Sequence, residues 1–221
     1  MVLVVRSTNS ADVPFLAWAM HESMKPVTGK GVFDDALDCT GTAPLAFHAA
    51  LLRCGASNWG RLEDFLLIED EVGAPVAAMS AFSNMQDDLR PLTASGFEQV
   101  SAALDWPAEA ARGFWLRYVR LFGFFGKAPQ LVHAADYVLE YAAVRPDCRG
   151  QGHYSRLLAA HGQRARSLGH GAMSFSAVIG NDVVTRPLRE FGFREAYKVG
   201  PEVYRFMYPG MIRYRCELPA D

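Results

Sequence analysis

One stretch restricts the fold of this chain more than any other, the run from Val138 to Phe193, VLEYAAVRPDCRGQGHYSRLLAAHGQRARSLGHGAMSFSAVIGNDVVTRPLREFGF. It reads as an apolar strand, an Arg/Gly turn, a helix, a second strand, an asparagine, a short helix and a Gly-Phe. The turn Arg149-Gly150-Gln151-Gly152 leads from strand to helix. Amides at a helix start lack intrahelical partners, and the helix dipole adds partial positive charge there. Glycine lets such a backbone approach a ligand and take φ values that other residues avoid. The combination suits a phosphate or pyrophosphate, although Gly-rich connections also occur for packing alone. Spacing removes two alternatives, since a dinucleotide turn needs G-x-G-x-x-G and a P-loop needs Gly-Lys-Ser/Thr.

The order of features around the turn says more. V-x-P-x-x-R-G-x-G (Val144 to Gly152) is followed by Leu157-Leu158, Gly169, Asn181 and Phe191-Gly192-Phe193. This series resembles the GNAT superfamily of acyl-CoA-dependent N-acetyltransferases, closely from Val138 to Phe193 and in outline elsewhere. The resemblance implies an α/β (α+β) fold, a mixed, mostly antiparallel twisted sheet of about seven strands flanked by helices. It also implies acetyl-CoA as cofactor. Backbone around Ala142, Ala143 and Val144 would hold the pantetheine arm and polarise the thioester. Arg149, Gly150, Gln151, Gly152, His153 and Tyr154 would surround the pyrophosphate. Asn181 would hold pantetheine, start the next helix, or both. The fourth and fifth strands would part to admit the acyl arm.

Two positions depart from the family pattern. Tyr154 stands where Gly or Ala is usual, and Leu188 stands where many relatives carry the Tyr that protonates the departing thiolate. Tyr141, Tyr154 or solvent would have to substitute. His153, alone after a turn, is expected at the surface. In the strand Tyr137 to Val144, simple alternation puts Val138, Glu140, Ala142 and Val144 on one face. A carboxylate there is costly to bury without a partner. Glu140 therefore reads either as half of an ion pair with a neighbouring Arg or as a general base with a raised pKa.

At 221 residues, half of them apolar and with net charge −2, the chain can form a sizeable core and is expected to be one domain over 1–221. No basic stripe suggests nucleic acid, and no apolar run is long enough to span a bilayer. No secretory signal is expected. Cys39, Cys54, Cys148 and Cys216 have neither metal nor disulfide spacing, so reduced thiols in the cytoplasm and no metal are expected.

Before the central run, Val2 to Arg6 reads as a first, buried strand and Val13 to Met24 as a helix. Lys25 to Thr42 reads as a loop. Pro44 to Cys54 is a second helix with Leu45, His48, Leu51 and Leu52 at helical spacing. Glu63–Asp70 and Pro75–Ser83 form a hairpin about Val72-Gly73-Ala74. Asn84 to Gln130 is a helical insertion between the third and fourth strands. One helix carries Phe97, Val100 and Leu104, and another runs from Asp105-Trp106-Pro107 to Phe122 with Ala111, Trp115, Tyr118, Val119 and Phe122 on its face. Those aromatics serve packing, a lid tipped by Gly123-Phe124-Phe125-Gly126, or a dimer contact. After the turn, Leu157, Leu158, His161, Ala165 and Leu168 form the stripe of a core helix. Arg194–Val199 and Met211–Leu218 are the last strands, and the loop between them bears Glu202, Tyr204 and Tyr208. By the family resemblance, that loop and Asp34 with Asp35 would line the acceptor pocket.

The expected activity is direct transfer of acetyl from acetyl-CoA to a primary amine of a small molecule, with Glu140 and Tyr141 as catalytic groups. The alternatives are a catalytically silent acyl-CoA-binding or sensing module and a protein-lysine acetyltransferase.

Overall fold

A computed structural model describes residues 4–25, 27–84, 88–123, 133–204 and 209–219. The strands form one seven-stranded sheet in the order β1-β2-β3-β4-β5-β7-β6. They are β1 (Val5–Ser7), β2 (Phe65–Glu69), β3 (Pro75–Ser83), β4 (Tyr137–Val144), β5 (Ala172–Val178), β6 (Arg194–Val199) and β7 (Met211–Glu217). Every neighbouring pair is antiparallel except β4 with β5, which is parallel. The helices are α1 (Val13–Ser23), α2 (Asp34–Leu37), α3 (Pro44–Arg53), α4 (Ala94–Ala103), α5 (Ala108–Phe122), α6 (His153–Ser167) and α7 (Asp182–Phe191). The mixed, mostly antiparallel sheet and the helical insertion between β3 and β4 are as expected.

The sheet separates two apolar cores. On one face, residues of α1, α2, α3 and α5 pack with Phe65, Leu67, Val138 and Tyr141. On the other, Leu157, Leu158 and Ala165 of α6 and Leu188 of α7 pack with Leu139, Phe175 and Tyr214. The insertion belongs to the first core through an aromatic cluster. Phe33 touches Phe47, and Phe114 contacts Phe47, Phe97 and Trp106 at centroid distances of 5.1–5.7 Å. Such pairs add roughly 0.5–1.5 kcal/mol each beyond the burial of their area. Tyr118 ties the cluster to the chain ahead of α4, accepting from the Leu92 amide at 2.9 Å and donating to the Leu92 carbonyl at 2.7 Å.

Several local expectations need correction. β1 is the sheet edge and only half-buried, because an end strand has one neighbour to cover it; Val2 and Leu3 lie outside the described residues. The segment Lys25–Thr42 contains α2, whose start is held by the Asp34 carboxylate accepting from the Gly31 amide at 2.7 Å. The buried face of α5 centres on Phe114, Tyr118 and Phe122, with Ala111, Trp115 and Val119 only partly covered. Pro107 is the residue ahead of the helix, and the Trp106 indole donates to Thr42 Oγ1 at 2.7 Å. Leu45 and Leu168 are exposed, at helix ends where the stripe runs past its core.

The largest departure lies in β4. Ala78 pairs with Ala143 but Ser80 pairs with Glu140, so β4 carries one residue more than β3 across this interval. That is a β-bulge, and Tyr141 within it has φ +47. A bulge breaks the two-residue alternation and leaves its extra residue unpaired. Consequently Val138, Tyr141 and Ala143 pack in the first core, while Ala142 and Val144 turn to the other face with Leu139.

Candidate active site

β4 and β5 pair over only three steps, Tyr137 with Met173, Val138 with Ser174 and Leu139 with Phe175. Both strands continue, to Val144 and Val178, without further pairing. They diverge at the bulge, where the ladder is already disrupted. A cleft with about 770 Å³ of empty space, part of it open to solvent, occupies the divergence. Glu140, Tyr141 and Ala142 form one side, and Phe175 to Val178 the other. Leu121 and Phe122 of α5, with Ser23 and Met24 at the end of α1, border it. The insertion therefore supplies a wall of the cleft; the tip expected at Gly123-Phe124-Phe125-Gly126 lies, beyond Gly123, outside the described residues.

The Arg/Gly turn stands just past the end of β4. Gly150 and Gly152 both have φ +78, the left-handed region, with open space where a Cβ would stand. Glycine is thus required by backbone conformation and not by crowding. Among the described residues, no acceptor takes the amides of Gly150, Gln151, Gly152, His153, Tyr154 or Ser155; the first helical bond runs from the Arg156 amide to Gly152 O at 3.1 Å. These donors stand at the positive end of a fifteen-residue helix, the arrangement that binds anions. Arg149 stands at the same place, its Nε donating to Val144 O at 3.2 Å and its Nη2 lying 3.5 Å from Glu22 Oε1. Its charge is therefore shared with the end of α1.

Glu140 is 8% exposed. Burial pushes its pKa from 4.5 up to about 7, opposed by the positive charge of Arg213 and by a backbone hydrogen bond. The carboxyl group is poised between its two protonation states near neutrality, where a general base works best. Tyr141 lines the cleft beside it, stacked on Phe65 at 6.4 Å. Its buried hydroxyl has Ser57 as its polar neighbour, and burial with the Glu140 charge holds the phenol neutral. Tyr154 is also held neutral by burial and Glu140, its hydroxyl without a partner among the described residues and its ring edge against Phe175.

His153 corrects an expectation, because it is buried and not at the surface. It opens α6 with Nδ1 buried and without a partner among the described residues, and desolvation holds its pKa below the ordinary value. Asn181 precedes α7, is buried, lines the cleft and makes no side-chain cap bond. Leu188 lies fully inside the second core and is not among the lining residues of the cleft, so its position does not supply a cleft group here.

Of the four acceptor residues expected, Tyr204 alone borders the cleft. Asp34 is engaged by the Gly31 amide and by His21 Nε2 at 3.2 Å. Asp35 is exposed and paired with Lys30 at 2.9 Å. Glu202 is exposed, with its carboxylate lying over Gly200. Tyr208 lies outside the described residues. Sequence reasoning missed Arg213, Ser176 and Trp59, all lining the cleft. Arg213 and Arg215 lie two apart on β7, and nothing local distinguishes the buried one from the half-buried one.

No family model and no curated protein sequence matches the chain. Solved structures do. SsHAT superposes with a TM-score of 0.65 at 16% identity, covering 100% of both chains. A GNAT superfamily phosphinothricin acetyltransferase from Sinorhizobium meliloti, in complex with AcCoA, superposes at 0.56 and 14% identity over 99% of this chain and 89% of that one.

This is the GNAT fold.

The putative acetyltransferase yncA from Salmonella typhimurium, with its cofactor acetyl-CoA, gives 0.54 at 15% identity over 100% of this chain and 96% of that one. At identities this low the superpositions show a shared fold and leave the chemistry to the residues. Among the described residues no helix is long and apolar enough to cross a membrane, and no group of three or more His, Cys, Asp or Glu could hold a metal ion.

Proposed function

We propose that the protein transfers acetyl from acetyl-CoA to a primary amine of a small molecule by direct attack. The observation that carries this reading is the parting of β4 and β5 after Leu139 and Phe175, beside the unpaired amides of the turn at Gly150–Gly152. The residues present fit the cofactor. Amides of Gly150, Gln151, Gly152 and the first turn of α6, including His153 and Tyr154, would take the diphosphate, with Arg149 adding charge. Main-chain groups of Ala142, Ala143 and Val144, on the strand that borders the gap, and Asn181 across it would hold the pantetheine arm.

Acetyl-CoA when bound supplies an activated thioester carbonyl. The chain supplies the rest. Main-chain donors at the bulge would polarise the carbonyl and stabilise the oxyanion that develops there. The cleft holds the amine close to the thioester and away from bulk water. Glu140 takes the proton of the incoming ammonium, which its pKa of about 7 permits near neutral pH. Tyr141, neutral and bordering the same cleft, offers its phenol hydrogen to the departing sulfur. The wall formed by Leu121 and Phe122 favours a small acceptor over an extended peptide. The reading includes one domain over residues 1–221 and a cytoplasmic setting.

The test is thiol release from acetyl-CoA against a panel of small amines. Thiol appearing in step with N-acetylated product supports the reading. Saturable acetyl-CoA binding with no turnover on any amine would leave the silent binding module in its place.

A further inference from the structure

The last two turns of α5 interleave apolar and basic residues, Arg117, Tyr118, Val119, Arg120, Leu121 and Phe122. Tyr118 and Phe122 are buried in the first core, while Arg117 and Arg120 are exposed. Residues three and four apart on a helix are neighbours, so Arg117, Arg120 and Leu121 stand along one flank. That flank meets the segment Thr28 to Ala36 across a second hollow, with about 1260 Å³ of empty space, part of it open to solvent. Val32, Leu121 and Phe122 border this hollow and the cleft alike. The two spaces therefore adjoin over three apolar side chains.

Floor and rim of the hollow differ in chemistry. Phe33, Ala36, Phe122 and the ring of Tyr118 are buried, whereas the charged residues among its described lining are Lys30, Asp35, Arg117 and Arg120. Lys30 Nζ lies 2.9 Å from Asp35 and is also attracted by Asp38 and Asp34, so α2 answers its charge. Arg117 Nη1 donates to a main-chain oxygen, Asp35 O at 3.0 Å, and not to a carboxylate. Arg120 has no ion pair among the described residues. Two guanidinium groups thus remain for an anion, each a planar fork that suits a carboxylate or a phosphate. The negative end of the helix dipole also favours cations here, but it does not require an apolar hollow beside them.

We infer that this hollow takes the far end of the acceptor, which is a primary amine carrying an acidic group, carboxylate or phosphate, at the end of a short apolar chain. The amine enters the cleft toward Glu140, the chain lies over Val32, Leu121 and Phe122, and the acid meets Arg117 and Arg120. Arg117 stands one helical turn before Leu121, about 6 Å along the axis. Spanning that distance takes about four or more carbon–carbon bonds of ~1.5 Å, so an α-amino acid is too short to be read in this way. The inference rests on the acetyltransferase reading and deepens it.

The experiment measures kcat/KM by thiol release with the wild-type protein and acetyl-CoA. The acceptors are ω-amino acids from β-alanine to the eight-carbon member, each beside the n-alkylamine and the α,ω-diamine of equal length. The phosphate monoester of the six-carbon amino alcohol, set against the six-carbon amino acid, identifies the preferred anion by its higher kcat/KM. For chains of about five carbons and longer, the acid is expected to exceed the alkylamine by about three- to tenfold, mostly through KM, as two exposed charge pairs allow. The diamine should fall below both, and the preference should shrink at high salt. In the double variant Arg117→Ser, Arg120→Ser the ratio of acid to alkylamine falls toward one, and in Arg120→Glu the diamine gains on the acid. Both positions are exposed, so these variants are expected to fold, which circular dichroism checks. Equal turnover of acid and alkylamine at every length, a preference strongest at β-alanine, or an acid preference kept in the double variant overturns the inference and leaves acetyl transfer standing. No thiol release with any of these or other amines overturns the underlying activity instead.

Discussion

Replacing Glu140 by Gln separates what this residue does for chemistry from what it costs the fold. The glutamine keeps the shape and the buried amide-like environment but can neither ionise nor take a proton. Burial raises the carboxyl pKa from 4.5 to about 7, so the folded chain binds a proton here more tightly than the unfolded chain does. Stability must then fall as pH rises through this window, because the folded state retains a proton that the unfolded state has released. At about 1.4 kcal/mol per pH unit, the full cost of the ionised group is ~3 kcal/mol, reached above pH 7. The penalty is only about 1 kcal/mol at pH 5 and nearly absent below pH 4. Glu140→Gln removes it. Urea unfolding of both proteins at pH 5 and pH 8.5 should therefore show the variant gaining about 1 kcal/mol at the lower pH and ~3 kcal/mol at the higher. Acetyl transfer should fall about 10²- to 10⁴-fold with acetyl-CoA affinity retained, the usual contribution of a general base. In the wild type, kcat/KM should rise with pH through about 7, and that limb should be absent from the variant. Equal stability of the two proteins at pH 8.5 would refute the buried, raised carboxyl, and equal turnover would remove Glu140 from the mechanism.

Two further perturbations probe the cofactor turn and the insertion. Gly152→Ala places a Cβ on a residue with φ +78 and open surroundings; the expected fold cost is about 1–2 kcal/mol from backbone conformation alone. Its KM for acetyl-CoA should rise several-fold more than its KM for the amine, measured by varying each in turn. Tyr118→Phe leaves the Leu92 amide and carbonyl without their partner; chemical denaturation should show a loss of about 1–3 kcal/mol.

Much of the architecture was written into local pattern. Short apolar runs broken by turn residues placed the strands, and β3 and β4 have the ends expected of them, Pro75–Ser83 and Tyr137–Val144. The turn at Gly150–Gly152 was legible for the same reason, since a left-handed backbone condition acts on the residue itself. The bulge was not. It arises from a mismatch between β4 and β3, and neither strand alone contains it; from it follow the reversed faces of Ala142 and Val144 and the gap beyond Leu139.

Site chemistry divides along the same line. Glu140 stood out because a carboxylate in an apolar strand is anomalous within a few residues. His153 was misjudged because burial of a first-turn residue depends on what the helix meets. Asp34 and Asp35 were drawn to local partners, Gly31 and Lys30, that short-range hydrogen bonding selects after the loop has closed. Sequence by itself determined the alternation of strand and helix, the anion-ready turn and the presence of one ionisable group at mid-sheet, because each is a property of consecutive residues. Tertiary structure alone decided that Arg213, Ser176 and Tyr204 face that group across the cleft and that Arg215 does not. Burial is conferred by elements remote in the chain, and two arginines spaced two apart on one strand become different residues only when α5 and the parted strands enclose one of them.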